Sequence, residues 1–131
     1  MTTQPPYEKA SILIGLCEKA LPALQDRAVV GRAQAAIREM KCWSPMEKVS
    51  GHPLGDLLMN DNEEGLAADQ MEAGNADARR ALALLCYAAA YVSWHMSQQC
   101  EERPHNMVTE VTEETFDLAL TEAEQLGLLD R

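Results

Sequence analysis

With 131 residues and a net charge of −10 at neutral pH, the chain is long enough to bury a core and too acidic to favour direct binding of nucleic acid. We therefore expect a single domain over residues 1–131 and a partner, if there is one, with a basic surface. The N-terminal sequence has no basic segment followed by an apolar run, so no signal peptide is visible and a cytoplasmic location is expected.

The first part of the chain predicts a helix that a proline either kinks or ends. Residues 1–6 are polar and are expected to be frayed. From Tyr7 onward, apolar residues recur every three or four positions, which is typical of a helix with one buried face. Because proline lacks the amide hydrogen that a helix interior requires, Pro22 should kink this helix or end it near Leu21.

A second helix is predicted from Asp26, which can act as its N-cap, to Cys42 or Trp43. Residues 44–47 then have the form of a capping box with a proline at the first position, and predict a short turn. The arginines of the second helix lie away from its apolar stripe and are expected in solvent: Arg27, Arg32 and Arg38.

Two short helices are predicted next, over residues 53–59 and 66–71, on either side of the polar loop 60–65. Either Asn75 or Asp77 can cap the helix that follows them. The second short helix is expected to direct its apolar side chains inward: Leu66, Ala67 and Met71.

The longest apolar segment, residues 78–100, contains no glycine or proline and predicts a central helix. Because residues 81–92 are apolar around the whole circumference, this helix should be buried on all sides. The uncharged run is shorter than the roughly 18 residues that a membrane span needs. Thr112 should cap a last helix that Gly127 ends. The apolar residues of that helix are Phe116, Leu118, Ala119, Leu120, Ala123 and Leu126.

These elements predict an all-α fold, a compact bundle of five to seven helices around one long central buried helix. The acidic residues are not spread evenly along it. Residues 56–77 carry seven acids and no lysine or arginine, and residues 101–131 carry nine acids and two bases. The second block is expected to form a solvated helix face, whereas the first concentrates a negative field that would speed capture of a basic protein.

The loop 60–65 carries oxygen-bearing side chains, but it does not fit a calcium-binding EF-hand. When the loop is counted from Asp61, its fifth position is Gly65, which has no side-chain ligand. When it is counted from Asn60, its twelfth position is Met71 rather than a glutamate. We therefore expect no metal and no cofactor.

Motifs of catalysis are also missing from the sequence. His52, His95 and His105 are isolated, and no nucleophile elbow, phosphate-binding loop or dinucleotide-binding motif occurs. An enzyme would therefore require residues that converge only in space, such as a deep polar pocket holding His95 or His105 beside a carboxylate. Trp43 can be either a core residue or an interface anchor.

The order of several features resembles a known family. These features run from Trp43 and Glu47 through Gly51, Leu54, Leu58 and residues 60–66 to Tyr87-Ala88-Ala89-Ala90-Tyr91, Trp94, Pro104 and Val111-Thr112-Glu113-Glu114. Over about residues 10–126 the chain is similar to the all-helical immunity proteins of bacterial polymorphic toxin systems, immunity family six. Pro45 departs from the pattern, which has a second aromatic residue at this position.

This resemblance implies a non-enzymatic protein that binds a cognate toxin domain. We expect a 1:1 complex that occludes the toxin active site, without nucleic acid or membrane as a direct partner. Such toxins act on nucleic acids, nucleotides or translation factors. Toxins of this kind require basic clefts, and an acidic surface complements such a cleft. The alternative is a helical adaptor or scaffold that binds an unrelated basic protein. The expected interface comprises Trp43, Glu47, Asp56, Asp61, Asn62, Glu63, Glu64 and Asp69.

Overall fold

The computed structural model describes residues 6–60, 62, 64–105, 108, 111 and 113–129. Within these residues the chain forms six α-helices and a short 3-10 turn over Leu21–Ala23, which confirms the predicted all-α fold. In the same residues, extended backbone pairs in one isolated bridge, between Ser44 and Glu47. The helices are α1 (Pro6–Ala20), α2 (Arg27–Lys41), α3 (His52–Leu58), α4 (Leu66–Glu72), α5 (Ala76–Gln99) and α6 (Glu113–Gln125).

Helix α5 is the centre of the bundle and packs against each of the other five helices. Its leucines and Val92 are fully or almost fully buried, which explains why the sequence there is apolar on several faces. Burial is not uniform, however, because Cys86, Tyr87 and Ala90 remain half-buried along one stripe. The prediction of a long central helix is thus confirmed, and burial on every side is not.

Several helix ends form where the local sequence predicts them. The carboxylate of Asp26 accepts hydrogen bonds from the amides of Ala28 (2.9 Å) and Val29 (3.2 Å), as an N-cap does. Asn75, rather than Asp77, caps α5 and accepts a bond of 2.8 Å from the amide of Ala78. Residues 1–5 of the expected frayed lead and residue 112, the expected cap of α6, lie outside the described residues. Pro6, also expected in that lead, is instead the first residue of α1.

The inward face of α4 differs from the prediction. Met71, expected inside, is 85% exposed, whereas Asp69 is only 7% exposed. The reason is an ion pair across the bundle, since Arg32 on α2 binds the Asp69 carboxylate. Arg32, expected in solvent, is thus only partly so, because its side chain is 36% exposed and its guanidinium binds Asp69. Leu118, also expected inside, is 41% exposed on α6.

Candidate functional site

Helix α3, which opens the acidic block, lies directly on the backbone of α5. The hydroxyl of Ser93 donates a hydrogen bond of 2.7 Å to the carbonyl oxygen of Gly51, the residue before α3. A Cβ atom at Gly51 would come within 2.2 Å of the Ser93 carbonyl oxygen, so only glycine permits this approach. The start of α3 is therefore fixed against the central helix.

Glu102, which follows α5, binds the same end of α3. Its carboxylate accepts hydrogen bonds from the Gly51 amide (2.9 Å), the Ser50 hydroxyl (2.9 Å) and the Ser97 hydroxyl (3.0 Å). Desolvation raises the pKa of Glu102, but these hydrogen bonds to the charged form outweigh it and hold the pKa below its ordinary value. Sequence reasoning missed this network, because Ser50 and Gly51 lie 52 and 51 positions before Glu102.

We expect Glu102→Gln to weaken the pH dependence of stability. A carboxyl with a lower pKa in the folded than in the unfolded state stabilises the fold above its unfolded pKa, and loses this contribution as the pH falls through its folded pKa. Urea unfolding of the variant at a series of acidic and neutral pH values should give a shallower fall of the unfolding free energy toward acid. Ser50→Ala, which removes one donor, should lie between the two curves. A Glu102→Gln curve parallel to that of the wild type would contradict the network.

The loop after α5 also covers the outer side of α3. The Nε2 atom of His105 lies 2.7 Å from the Oδ1 atom of Asp56. A Cβ atom at Gly55 would come within 2.3 Å of the His105 ring, so the two segments touch closely. The His105 side chain is 12% exposed and the Asp56 side chain 64%, so the pair lies where the loop and α3 meet solvent.

The loop between α3 and α4 is closed by a single side chain. Asn60 accepts hydrogen bonds at Oδ1 from the amides of Asn62 (2.9 Å) and Glu64 (3.2 Å), and its own amide donates to the Glu64 carbonyl oxygen (2.8 Å). Asn62 and Glu64 are exposed on this loop. Asp61 and Glu63 lie outside the described residues. The loop therefore offers a carboxylate at Glu64 on a backbone held by hydrogen bonds.

Asp69 is not presented in the same way. Arg32 binds its carboxylate with two hydrogen bonds, Nε to Oδ2 at 2.7 Å and a terminal nitrogen to Oδ1 at 2.6 Å. Such a bidentate pair compensates the charge and fixes the relative position of α2 and α4. Asp69 thus contributes less to the outer field than the exposed Asp56 and Glu64.

Trp43 and Glu47 lie in and after the turn that follows α2. Glu47 is exposed, whereas Trp43 is 8% exposed and packs edge-on against Tyr7 at 5.7 Å between ring centroids. Trp43 also stacks on His95, with 6.0 Å between the ring centroids, and its indole N–H donates to the Gln99 side chain. These side-chain contacts of Trp43 are therefore with α1 and α5.

Comparison with known protein families decides the identity of this fold. The family model "Immunity protein Imm6" matches residues 8–126. The chain belongs to the Imm6 family. Imm6 members are immunity proteins rather than enzymes, so this protein has a cognate toxin as its partner. Comparison with curated proteins and with solved structures gives no match.

Two further observations concern the described residues of this Imm6 protein. None of their helices is both long enough and apolar enough to cross a membrane. The same residues contain no group of three or more histidine, cysteine, aspartate or glutamate side chains that could hold a metal ion.

Proposed function

We propose that this Imm6 protein neutralises its toxin in the cytoplasm by forming a 1:1 complex that occludes the toxin active site. The acidic surface of α3 and the loop after it would form the interface, as part of one domain over residues 1–131. The observation that carries this proposal is the exposure of Asp56 and Glu64 on backbone held by Gly51 and Asn60. A surface fixed before binding loses little conformational entropy when a partner docks.

The charge pattern supports a basic partner. Residues 56–64 contain four acids, two of which are Asp61 and Glu63, and no lysine or arginine. A toxin that acts on nucleic acids or nucleotides needs a basic cleft, and a field of opposite sign speeds encounter and orients the two surfaces. Glu47 and Asn62 are exposed and remain in the proposed interface. Asp69 would act indirectly, by holding α4 in place.

Charge reversal tests this interface. In the triple variant Asp61→Lys, Glu63→Lys, Glu64→Lys we expect the association rate with the toxin domain at low salt to fall about tenfold or more, with a weaker salt dependence. The measurement is stopped-flow or surface-plasmon-resonance kinetics at several salt concentrations, together with rescue of growth when toxin and variant are co-expressed.

The control carries the same change in net charge on the outer side of α6, with Glu114→Lys, Asp117→Lys and Glu124→Lys. If both triple variants slow association equally, the effect is one of total charge and the proposed face is wrong. Occlusion also requires that toxin substrate and immunity protein compete, so a ternary complex would contradict it. An adaptor for an unrelated basic protein would bind that protein without rescuing growth.

A further inference from the structure

A second surface feature involves none of the acidic-loop residues. It is an open groove of about 610 Å³ where the start of α1 meets the turn after α2 and the end of α5. Tyr7, Trp43 and His95 give it aromatic walls, and Pro45 adds a further apolar side. We call it the aromatic groove. Trp43 is 8% exposed and forms its floor, whereas Tyr7 is 39% exposed and forms a wall.

The aromatic groove continues along α1. A neighbouring hollow of about 220 Å³ shares Tyr7 and Trp43 with it and is lined further on by Ile14, Gly15 and Met40. A Cβ atom at Gly15 would meet nothing within 4 Å, so the glycine leaves open space above the helix. The two hollows together form an apolar track that can receive an extended side chain or a short segment of a partner.

The charge along this track is nearly balanced except at one position. Near the C-terminal end of α1, the Oε2 atom of Glu18 lies 3.0 Å from the Nζ atom of Lys41. Glu8 is exposed at the rim and has no ion-pair partner among the residues that the structure describes. Burial lowers the pKa of His95, Glu113 raises it and Lys9 lowers it, and the net shift toward a lower pKa favours the uncharged ring. The described lining of the groove therefore presents aromatic rings beside the carboxylate of Glu8.

We propose that the aromatic groove receives an arginine side chain of the toxin, as a contact separate from the acidic loop. This inference rests on the proposed function, since it takes the toxin as the partner. A planar guanidinium stacks on aromatic faces and pairs with a carboxylate, and its apolar stem suits the track along α1. A second copy of this chain is a poor occupant, because two molecules of net charge −10 repel each other and each would bring more acids toward Glu8.

The chemistry can be tested without the toxin. N-acetyl-arginine amide is titrated into the nitrogen-15-labelled protein while the two indole N–H resonances, of Trp43 and Trp94, are followed by NMR. We expect the Trp43 resonance to shift saturably and that of Trp94 to stay in place. Glu8→Gln should lower the affinity for the arginine amide about fivefold, since an aromatic contact and a carboxylate each contribute modestly to binding at an exposed site. If N-acetyl-norleucine amide binds as well as the arginine amide, the occupant is apolar and the proposal is wrong.

The role in toxin binding is tested with a matched pair of glycines. Gly15 on α1 and Gly31 on α2 are both helical, and an added Cβ meets nothing within 4 Å at either position. Only Gly15 lines the described track. Gly15→Phe should therefore raise the Kd for the toxin domain about tenfold or more by filling the track, whereas Gly31→Phe should stay within about twofold of the wild type.

The outcomes separate the two proposals. If the wild type binds the toxin and Gly15→Phe binds it equally well, the groove proposal fails and the acidic interface stands. If the wild type does not bind the toxin, the proposed function fails, while the amide titration still reports on the groove. If the wild type self-associates in analytical ultracentrifugation and Gly15→Phe abolishes this, a second copy occupies the groove and the arginine proposal is overturned.

Discussion

Replacement of Gly65 by alanine is expected to lower the free energy of unfolding by about 3 kcal/mol or more. Gly65 has φ of 151°, a region that residues with a side chain rarely adopt. A Cβ atom there would lie 2.4 Å from the carbonyl oxygen of Leu58 and 2.8 Å from that of Leu57. Because both contacts are with backbone, no rotation of a side chain relieves them, and the end of α3 has to move. Urea unfolding followed by circular dichroism measures the loss.

Gly74→Ala is the matched control for this effect. Gly74 lies in the next loop, between α4 and α5, and a Cβ atom there would meet nothing within 4 Å. Its replacement should change the stability by less than about 1 kcal/mol. Equal losses of unfolding free energy in the two variants would show that the close packing of Gly65 does not determine the cost of its replacement. At a temperature where both remain folded, only Gly65→Ala should weaken toxin binding, because it displaces the loop that carries Glu64.

The helices could be predicted from the sequence because the features that define them are local. The apolar spacing of α1 and α2 and the capping residue Asp26 act within a few positions, so the pattern and the structure agree. The long uncharged run of α5 likewise indicates a buried centre, and the fold places it against all the other helices. Pro22 falls in the 3-10 turn directly after α1, where the missing amide hydrogen costs least.

The burial and partners of residues that contact distant parts of the chain could not be predicted from the sequence. Met71 and Asp69 exchange their expected places because Arg32, 37 positions before Asp69, supplies the missing charge. Local hydrophobicity cannot reveal this, since a carboxylate is buried only where a partner compensates its desolvation. Glu102 is a similar case, because it appears in the sequence as one more acid of a solvated segment. Its donors Ser50 and Gly51 meet it only when the bundle forms.

The charge pattern of the candidate site could be predicted from the sequence, but the positions of its side chains could not. Composition indicates a run of acids, whereas the structure separates Asp56, beside His105, from the buried Asp69. The two hypotheses for Trp43, core residue or interface anchor, are also not mutually exclusive. Its ring is almost wholly buried, yet it forms the floor of the aromatic groove. An anchor of this kind would receive a toxin side chain rather than insert one.

Removal of the Arg32 side chain should destabilise the protein by about 2–3 kcal/mol. Asp69 is 7% exposed, so Arg32→Ala leaves a largely buried carboxylate without its two hydrogen bonds. The cost falls short of that for a fully buried pair because the Arg32 side chain is 36% exposed. Replacing both partners, with Arg32→Met and Asp69→Leu, should recover much of the loss, since no buried charge then remains. Chemical denaturation of the wild type, Arg32→Met, Asp69→Leu and the double variant, which form a double-mutant cycle, gives the coupling energy.

The ion pair of Lys41 and Glu18 provides the comparison, since both side chains are about half exposed, at 51% and 48%. Lys41→Ala should cost less than about 1 kcal/mol, because water screens and replaces an exposed pair. A cost as large as that of Arg32→Ala would show that burial does not set the difference. The same logic separates stability from recognition within the acidic block. Asp69→Asn should lose stability and keep the wild-type association rate with the toxin, whereas Glu64→Gln should keep stability and associate more slowly.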